Sequence, residues 1–214
     1  MNGIENKELK KRIIEISWKH TLSHLGSCLT AVDIIDEIFK IKKKDEKFVL
    51  SSGHAGLALY CVLEKYGGRN AEEIFNHHGV HPDRCDVCGI NCSTGSLAQG
   101  LPIAVGMALA DRSKNVYCLI SDGECAEGSI WEALRIVEDK EIKNLCIFVN
   151  FNGFGAYAPI HVDLLKERMR AFDFFGEIEF WDTNVEQLPF LKGQDAHYYI
   201  MTEGDYKQAM EILK

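Results

Sequence analysis

The sequence lacks an excess of positive charge: 24 Lys and Arg residues stand against 32 Asp and Glu residues, a formal net charge of −8. A nucleic-acid interface needs a basic stripe to contact phosphates, so this balance argues against a nucleic-acid partner. The chain also lacks any apolar run near the ~18 residues of a membrane span, and its N-terminus has no apolar segment of signal-peptide type. We therefore expect no membrane partner and a cytoplasmic location.

Eight cysteines without a secretory signal indicate reduced thiols or metal ligands rather than a disulfide framework. Hydrophobic residues make up 46% of the chain and charged residues 26%, which is typical of a folded protein. The length of 214 residues suits one domain spanning residues 1–214, and a chain of this size buries roughly 70% of its unfolded surface.

Hydrophobic periodicity predicts an α/β fold. Helices are expected at residues 5–20, 58–67, 97–112, 128–140, 161–170 and 204–213. Two further helices are expected, one capped by Thr30 and one that runs from a cap at Asn70 to near His77. Strands are expected at 48–51, 115–121, 144–150, 177–181 and 197–202. The strand–helix–strand run over 115–150 is a βαβ unit, which implies parallel strands. The expected architecture is an α/β domain with a mostly parallel sheet flanked by helices.

Polar loops follow the two central predicted strands. Ser121-Asp122-Gly123-Glu124 follows one and Asn150 to Phe154 the other, and ligands of open parallel sheets bind at the carboxyl ends of the strands. Asp122 offers a carboxylate oxygen and Asn152 an amide oxygen, which suit Mg²⁺ together with ligand phosphates. Gly123 would let the backbone approach a diphosphate. Taken singly, each loop is also consistent with an ordinary turn.

The sequence has neither the GxxxxGK[ST] nor the GxGxxG phosphate-binding motif. Six other segments follow one another in a recognisable order: SHLGSCLTAVDI (23–34), VLSSGHAGLALY (49–60), HPD (81–83), TGSLAQGLPIAVGMALA (94–110), SDG (121–123) with EGSIWEA (127–133), and Asn152 thirty positions after Asp122 (152 − 122). Together they resemble the thiamine-diphosphate enzymes, and specifically the N-terminal half of transketolase. The resemblance covers residues 9–155 and is weaker beyond them.

This resemblance implies a thiamine-diphosphate-binding fold, with thiamine diphosphate and Mg²⁺ as cofactors. Asp122, Asn152 and the carbonyl of Phe154 would ligate Mg²⁺, and Gly95, Leu97 and Gly123 would line the pyrimidine and diphosphate of the cofactor. His24, His54 and His81 would face the reacting carbon, where imidazole can handle sugar hydroxyls and protons. The remaining histidines His20, His77, His78 and His161 have no motif support and are interpreted as solvated or structural.

Two glutamates also match the family. The resemblance places Glu127 and Glu132 at the dimer interface, where the two glutamates would relay protons between active sites. The alternative is a solvated helix face, with Glu132 near Arg135.

The resemblance further implies a missing part. The family activates its cofactor through a glutamate on a second, pyrimidine-binding domain, so we expect a separate partner subunit in an α₂β₂ assembly. The implied reaction transfers a two-carbon ketol unit between phosphorylated or nucleotide-activated sugars. A deoxyxylulose-phosphate-synthase-like or 2-oxo-acid-decarboxylating reaction is the alternative within the class, and a non-catalytic cofactor- or metal-binding scaffold is the alternative outside it.

Some positions depart from the family pattern. Ser121 replaces a glycine, Asn150 stands where an aspartate is common, and Leu25 replaces a proline. The family also has a later histidine in a DGH motif, whereas residues 181–184 here read WDTN. His197, which no motif supports, is left as an open candidate for that role.

Three cysteines cluster between two of the motifs. A structural Zn²⁺ could be held by Cys85, Cys88 and Cys92 with a nearby histidine or cysteine, since Cys-x-x-Cys spacing suits a tetrahedral site. The alternatives are three reduced thiols that act as small hydrophobic residues, or a redox pair of Cys85 and Cys88. Any zinc would brace the loop and would not perform the reaction.

Overall fold

The fold was analysed in a computed structural model that describes residues 6–214. The helices are α1 (Lys7–His20), α2 (Leu25–Ile41), α3 (Gly56–Lys65), α4 (Ala71–His78), α5 (Gly100–Ala110), α6 (Gly128–Asp139), α7 (Val162–Arg170) and α8 (Glu203–Ile212). The strands are β1 (Lys47–Leu50), β2 (Val116–Ser121), β3 (Leu145–Phe151) and β4 (Glu177–Asp182). Short 3₁₀ turns lie at Gly53–Ala55, Gly123–Ala126 and Gly193–His197. Residue 5, with which the predicted first helix begins, lies outside the described residues.

The four strands form one parallel sheet in the order β1-β2-β3-β4. All residues of β2 and β3 are buried, as expected where helices cover both faces of a parallel sheet. Leu119 and Phe148 point into a core formed with α1 to α4 and α8. Ile120 and Val149 point into the opposite core, formed with α5, α6 and α7. The predicted α/β fold with a mostly parallel sheet is confirmed, and we propose that one domain contains both cores because they share the sheet.

The second helix begins earlier than predicted. It starts at Leu25 rather than at a Thr30 cap, and Thr30 lies fully buried within it. The Thr30 hydroxyl donates to the carbonyl of Ser27, 3.1 Å away, and accepts from the Asn150 amide at 3.0 Å. Thr30 therefore connects α2 to β3, and a contact so distant in sequence overrides the local capping signal.

The predicted strand at 197–202 is wrong. His197 ends a 3₁₀ turn, and an irregular segment then leads into α8. Tyr198 and Ile200 are about half exposed, whereas Tyr199 stacks on Phe190. Tyr199 and the buried Met201 pack against neighbouring side chains, and the segment adds no strand to the sheet. Within residues 6–214, no helix combines the length and apolar character that crossing a membrane requires.

A buried carboxyl joins three segments at the carboxyl end of the sheet. Glu124 is fully buried, and its Oε1 accepts from the Ser51 hydroxyl at 2.5 Å and from the Ala98 N–H at 2.9 Å. Its Oε2 accepts from the Ser121 N–H at 2.9 Å. Burial raises the pKa of this carboxyl, and these hydrogen bonds oppose that rise. Glu124 thus holds together the ends of β1 and β2 and the segment that leads into α5.

We predict that Glu124→Gln lowers the free energy of unfolding by about 2–3 kcal/mol, because it leaves buried donors without acceptors. Each carboxyl oxygen of Glu124 accepts from a backbone N–H, so the NH₂ of glutamine faces a donor in either orientation. Urea denaturation measures the change. The matched control Glu167→Gln alters an exposed carboxylate on α7 and should stay within about 0.5 kcal/mol of wild type. Equal stability of the two variants would refute the role of Glu124.

Candidate active site

Three histidines from distant segments meet at the carboxyl end of the sheet. His24 precedes α2, His54 lies on the turn after β1, and His197 ends the last 3₁₀ turn. The ring centroids are 5.3 Å apart for His24 and His54, 4.7 Å for His24 and His197, and 4.9 Å for His54 and His197. Two of these residues were predicted from motifs, whereas His197 joins them only through the fold.

Hydrogen bonds hold His24 and His197 in place. The His24 N–H donates to the His197 carbonyl over 2.8 Å, and the His24 backbone is left-handed with φ +63°. His197 Nδ1 lies 2.8 Å from the Ser27 hydroxyl. His24 Nδ1 is buried and has no hydrogen-bond partner within residues 6–214. An unusual backbone conformation beside an unpartnered buried polar atom is typical of a functional site.

The cluster is electrically neutral near physiological pH. Burial, followed by the charges of His197 and His81, lowers the pKa of His24 to about 4. Burial, followed by the charges of His197 and His24, lowers the pKa of His54 to about 3. Burial also lowers the pKa of His197. Neutral imidazoles can both donate and accept hydrogen bonds, which matches the chemistry of sugar hydroxyls.

The His81 side chain lies against Gly95 of the same loop, residues 79–99. A Cβ added to Gly95 would lie 3.2 Å from Cγ of the His81 ring, so the contact leaves little room for a side chain. A Cβ on Gly53, beside His54, would lie 2.6 Å from the carbonyl carbon of Thr94. The turn that carries His54 therefore packs backbone against backbone on Thr94 and Gly95, and the His81 ring covers Gly95.

These residues line a cavity of about 180 Å³. Eight of the predicted site residues border it: His24, His54, His81, Gly95, Leu97, Gly123, Asn152 and Phe154. Ser27, Ser121, Gly155, Ala156, His197 and Tyr198 complete its lining. The structure thus brings the predicted histidines, glycines and metal-ligand candidates to one place.

Asp122 connects the two loops beyond β2 and β3. Its carboxyl is fully buried and accepts from the Gly123 N–H at 2.9 Å and from the Gly153 N–H at 2.7 Å. Burial raises the pKa of Asp122 to about 6, although these N–H groups oppose the rise. Unlike Gly123 and Asn152, Asp122 borders a neighbouring cavity of about 750 Å³ that also contacts Trp131 and His161.

The oxygen atoms at and near Asp122 are of the kind that binds a hard cation such as Mg²⁺. They belong to the Asp122 carboxylate, the Asn152 side-chain amide and the Phe154 carbonyl. The Asn152 oxygen also accepts from the Phe154 N–H at 2.9 Å. A Cβ on Gly123 would lie 3.4 Å from that carbonyl oxygen and 3.2 Å from Cα of Gly155. Glycine at position 123 therefore keeps a narrow space open beside the carbonyl. Each of these oxygens can use a further lone pair to bind a cation.

Asn150 explains one departure from the family pattern. Its amide donates to Thr30 at 3.0 Å and accepts from the Thr183 hydroxyl at 2.6 Å. Thr183 belongs to the WDTN segment. Because an ionised aspartate can accept but cannot donate, an asparagine suits a position that must do both.

Glu127 and Glu132 lie outside the cavity. Both are exposed, Glu127 immediately before α6 and Glu132 within it. Arg135 forms its ion pair with Asp139 at 2.5 Å. The predicted interface role of the two glutamates stays a prediction.

The three clustered cysteines of the sequence, Cys85, Cys88 and Cys92, lie in two separate places. Cys85 and Cys88 lie beside His78, and the ligand atoms of these residues are all within 4.8 Å of one another. Cys92 is not part of this cluster, because it is buried in the core against α5 and α6 and its thiol donates to the Ser93 carbonyl. The sequence interpretation of His78 as solvated or structural therefore missed its contact with two cysteines.

Comparison with known proteins matches residues 19–174 to a family described as transketolase, thiamine diphosphate binding domain. Transketolase from Homo sapiens is 32% identical over 198 residues, which cover 81% of this chain and 32% of the human protein. The 6-deoxy-6-sulfo-D-fructose transketolase subunit SqwG from Clostridium sp. (strain MSTE9) is 35% identical over 188 residues, covering 77% of this chain and 68% of that protein.

A further relative, from Phocaeicola vulgatus, is one of the subunits of an apulose-4-phosphate transketolase. It is 31% identical over 187 residues, which cover 78% of this chain and 66% of that protein. Among solved structures, transketolase from Campylobacter jejuni shares the fold with a TM-score of 0.77 and 20% identity, covering 98% of this chain and 42% of that one. The matches span about a third of the length of full transketolases such as the human protein. With the motifs and the cavity in agreement, the chain belongs to the transketolase thiamine diphosphate binding domain family.

Proposed function

We propose that this chain is the diphosphate-binding subunit of a transketolase-like enzyme that transfers a two-carbon ketol unit between sugars. The observation that carries the proposal is the single cavity into which separate motifs bring His24, His54, His81, Gly123 and Asn152. Membership of the family supports thiamine diphosphate as the cofactor. The location in the cytoplasm, expected from composition and cysteine usage, stays a prediction.

Asp122, Asn152 and the Phe154 carbonyl would hold Mg²⁺, and Gly95, Leu97 and Gly123 would contact the cofactor. Asp122 has no ion pair with a lysine or arginine within residues 6–214, so a bound Mg²⁺ would supply the positive charge that its buried carboxyl lacks. When bound, thiamine diphosphate supplies the carbanion chemistry that breaks and forms carbon–carbon bonds. The chain's own part is to bind the diphosphate end of the cofactor and to orient the sugar.

The histidines would orient the sugar and hold protons. His24 and His54 remain neutral at physiological pH because burial lowers the pKa of each, so each ring can donate from one nitrogen and accept at the other. The Ser27 hydroxyl occupies Nδ1 of His197, which leaves Nε2 for a ligand. We propose that His197 replaces the later histidine that residues 181–184 lack. A complete set of histidines favours an enzyme over a non-catalytic scaffold.

A partner subunit would complete the active site. Two of the relatives are themselves named as transketolase subunits, which supports a divided enzyme. The partner would carry the pyrimidine-binding half and its glutamate, in an α₂β₂ assembly in which Glu127 lies near the interface. The names of these relatives refer to a sulfo-fructose and to apulose 4-phosphate, and we propose a phosphorylated or otherwise activated sugar as substrate here.

Calorimetric titration with thiamine diphosphate and Mg²⁺ tests the proposal, on the chain alone and together with its pyrimidine-binding partner. We expect Asp122→Asn to weaken cofactor binding at least tenfold, because one anionic ligand of the metal is lost. The matched control Asp163→Asn removes an exposed carboxylate at the start of α7 and should leave the affinity unchanged. Failure of the wild-type chain to bind the cofactor under either condition would contradict the proposed function.

Neutral burial of the histidines also predicts how stability depends on pH. The unfolded His54 binds a proton near its ordinary pKa of 6.5, whereas the folded residue binds one only near a pKa of about 3. Between these values the unfolded state holds more protons, so stability falls as the pH falls. From about pH 7 to about pH 5, we expect His54→Asn to lose less stability than wild type, by about 1–2 kcal/mol.

Urea denaturation at the two pH values measures this difference. His161→Asn, which changes an exposed histidine, serves as the control and should follow the wild-type dependence. Parallel pH profiles for wild type and His54→Asn would show that the buried neutral form of His54 is not a source of the pH dependence.

A further inference from the structure

The cluster of His78, Cys85 and Cys88 lies outside the histidine cavity. His78 ends α4, and the two cysteines lie in the loop between α4 and α5, residues 79–99. Nε2 of His78 is 3.5 Å from Sγ of Cys88, and all the ligand atoms of the cluster lie within 4.8 Å of one another. These atoms lie close enough together for the three side chains to converge on one metal ion.

The backbone around the cysteines is shaped to hold two sulfurs toward one point. Cys85 and Ile90 exchange two backbone hydrogen bonds of 2.9 Å, which close a tight hairpin. The Cys88 N–H donates to Sγ of Cys85 over 3.2 Å. Gly89 follows with φ +80°, a conformation that residues with a side chain rarely adopt. This turn fixes both thiols on the same side, and an N–H donated to sulfur favours the thiolate form that binds metals.

The ligand chemistry selects the metal. Two thiolates and an imidazole are soft to intermediate donors, which favour Zn²⁺ over the hard cations Mg²⁺ and Ca²⁺. Within residues 6–214, no carboxylate joins this cluster. We propose that His78, Cys85 and Cys88 bind a Zn²⁺ ion, with a water molecule in the fourth tetrahedral position.

The zinc would brace the loop that carries His81 and Gly95. Two further hydrogen bonds connect the two halves of this loop, from the Thr94 N–H to the Pro82 carbonyl at 3.0 Å and from the Arg84 N–H to the Ser93 hydroxyl at 2.8 Å. The metal would connect the hairpin of Cys85 to Ile90 with His78 at the end of α4. This connection would help to keep His81 and Gly95 in contact. This bracing role rests on the proposed function, whereas the metal site itself does not.

Metal analysis of the chain, expressed with zinc and purified without chelator, tests the site. We expect one zinc per chain in wild type and a loss of most of it in Cys85→Ser, Cys88→Ser and His78→Ala. The chain offers two matched controls that should keep their zinc. Cys92→Ser changes a cysteine of the same loop that lies outside the cluster, and His77→Ala changes the adjacent exposed histidine.

Cobalt substitution gives a readout that does not depend on activity. Wild type and Cys92→Ser should show the sulfur-to-cobalt charge-transfer absorption of a thiolate site, and Cys85→Ser should show well under half of it, because it has one thiolate fewer and keeps little metal. Circular dichroism confirms that the variants fold. Well under one zinc per chain in folded wild type would overturn the proposal. So would equal zinc loss in Cys92→Ser and Cys85→Ser, or a disulfide between Cys85 and Cys88 in place of metal.

The bracing role has its own test. Zinc is removed with a chelator, the chelator is removed, and Mg²⁺ is restored before titration with thiamine diphosphate together with the partner subunit. We expect affinity to fall roughly tenfold, as when the support of a binding loop is lost, and to recover when zinc is added back. Unchanged affinity would overturn the bracing role. Zinc binding without any cofactor binding would leave the metal site standing and contradict the proposed function.

Discussion

The site depends on the buried carboxyl of Glu124. A parallel sheet positions its strand ends accurately, but the loops beyond them contribute the ligand contacts, and those loops have few apolar side chains to anchor them. Glu124 fixes them by accepting hydrogen bonds from Ser51, Ala98 and Ser121 in a place that water does not reach. Because water cannot replace a lost partner at this buried carboxyl, breaking any of these hydrogen bonds has a high cost in free energy. The candidate site residues His54, Leu97 and Gly123 lie in the three segments that Glu124 joins, close to Ser51, Ala98 and Ser121.

Asp122 has a similar role for the loops beyond β2 and β3. Glu124 binds the ends of β1 and β2, and Asp122 then binds the loop after β3 through the Gly153 N–H. The same carboxyl is the anionic member of the candidate metal site. Metal binding and loop position would therefore be coupled, because a cation on Asp122 would stabilise the ionised carboxylate that accepts from the Gly153 N–H. The buried Glu124 carboxyl has a structural role, and the buried Asp122 carboxyl would combine a structural role with the proposed binding of the metal.

The sequence was sufficient to predict the sheet, because helices cover both faces of β2 and β3 and leave continuous apolar runs. It also indicated most cavity residues, since their motifs resemble a known family. It failed wherever the deciding contact joins distant residues. Thr30 pairs with Asn150 rather than capping a helix, and the 197–202 segment packs on side chains rather than in a sheet. The same limit hid His197 and His78, whose neighbours are fixed only once the chain folds.

The charges of the cavity constrain how a sugar could bind. Its lining combines neutral histidines with glycines and small polar residues, and among its residues there is no lysine or arginine. Each imidazole lowers the tendency of its neighbours to take a proton, so the cluster gives hydrogen bonds rather than positive charge. Such a surface suits hydroxyl groups, but it lacks the charged donors that bind an anionic group strongly. If the substrate carries a phosphate or sulfonate, the cations that bind it have to lie beyond this cavity, and the proposed partner subunit would be their source.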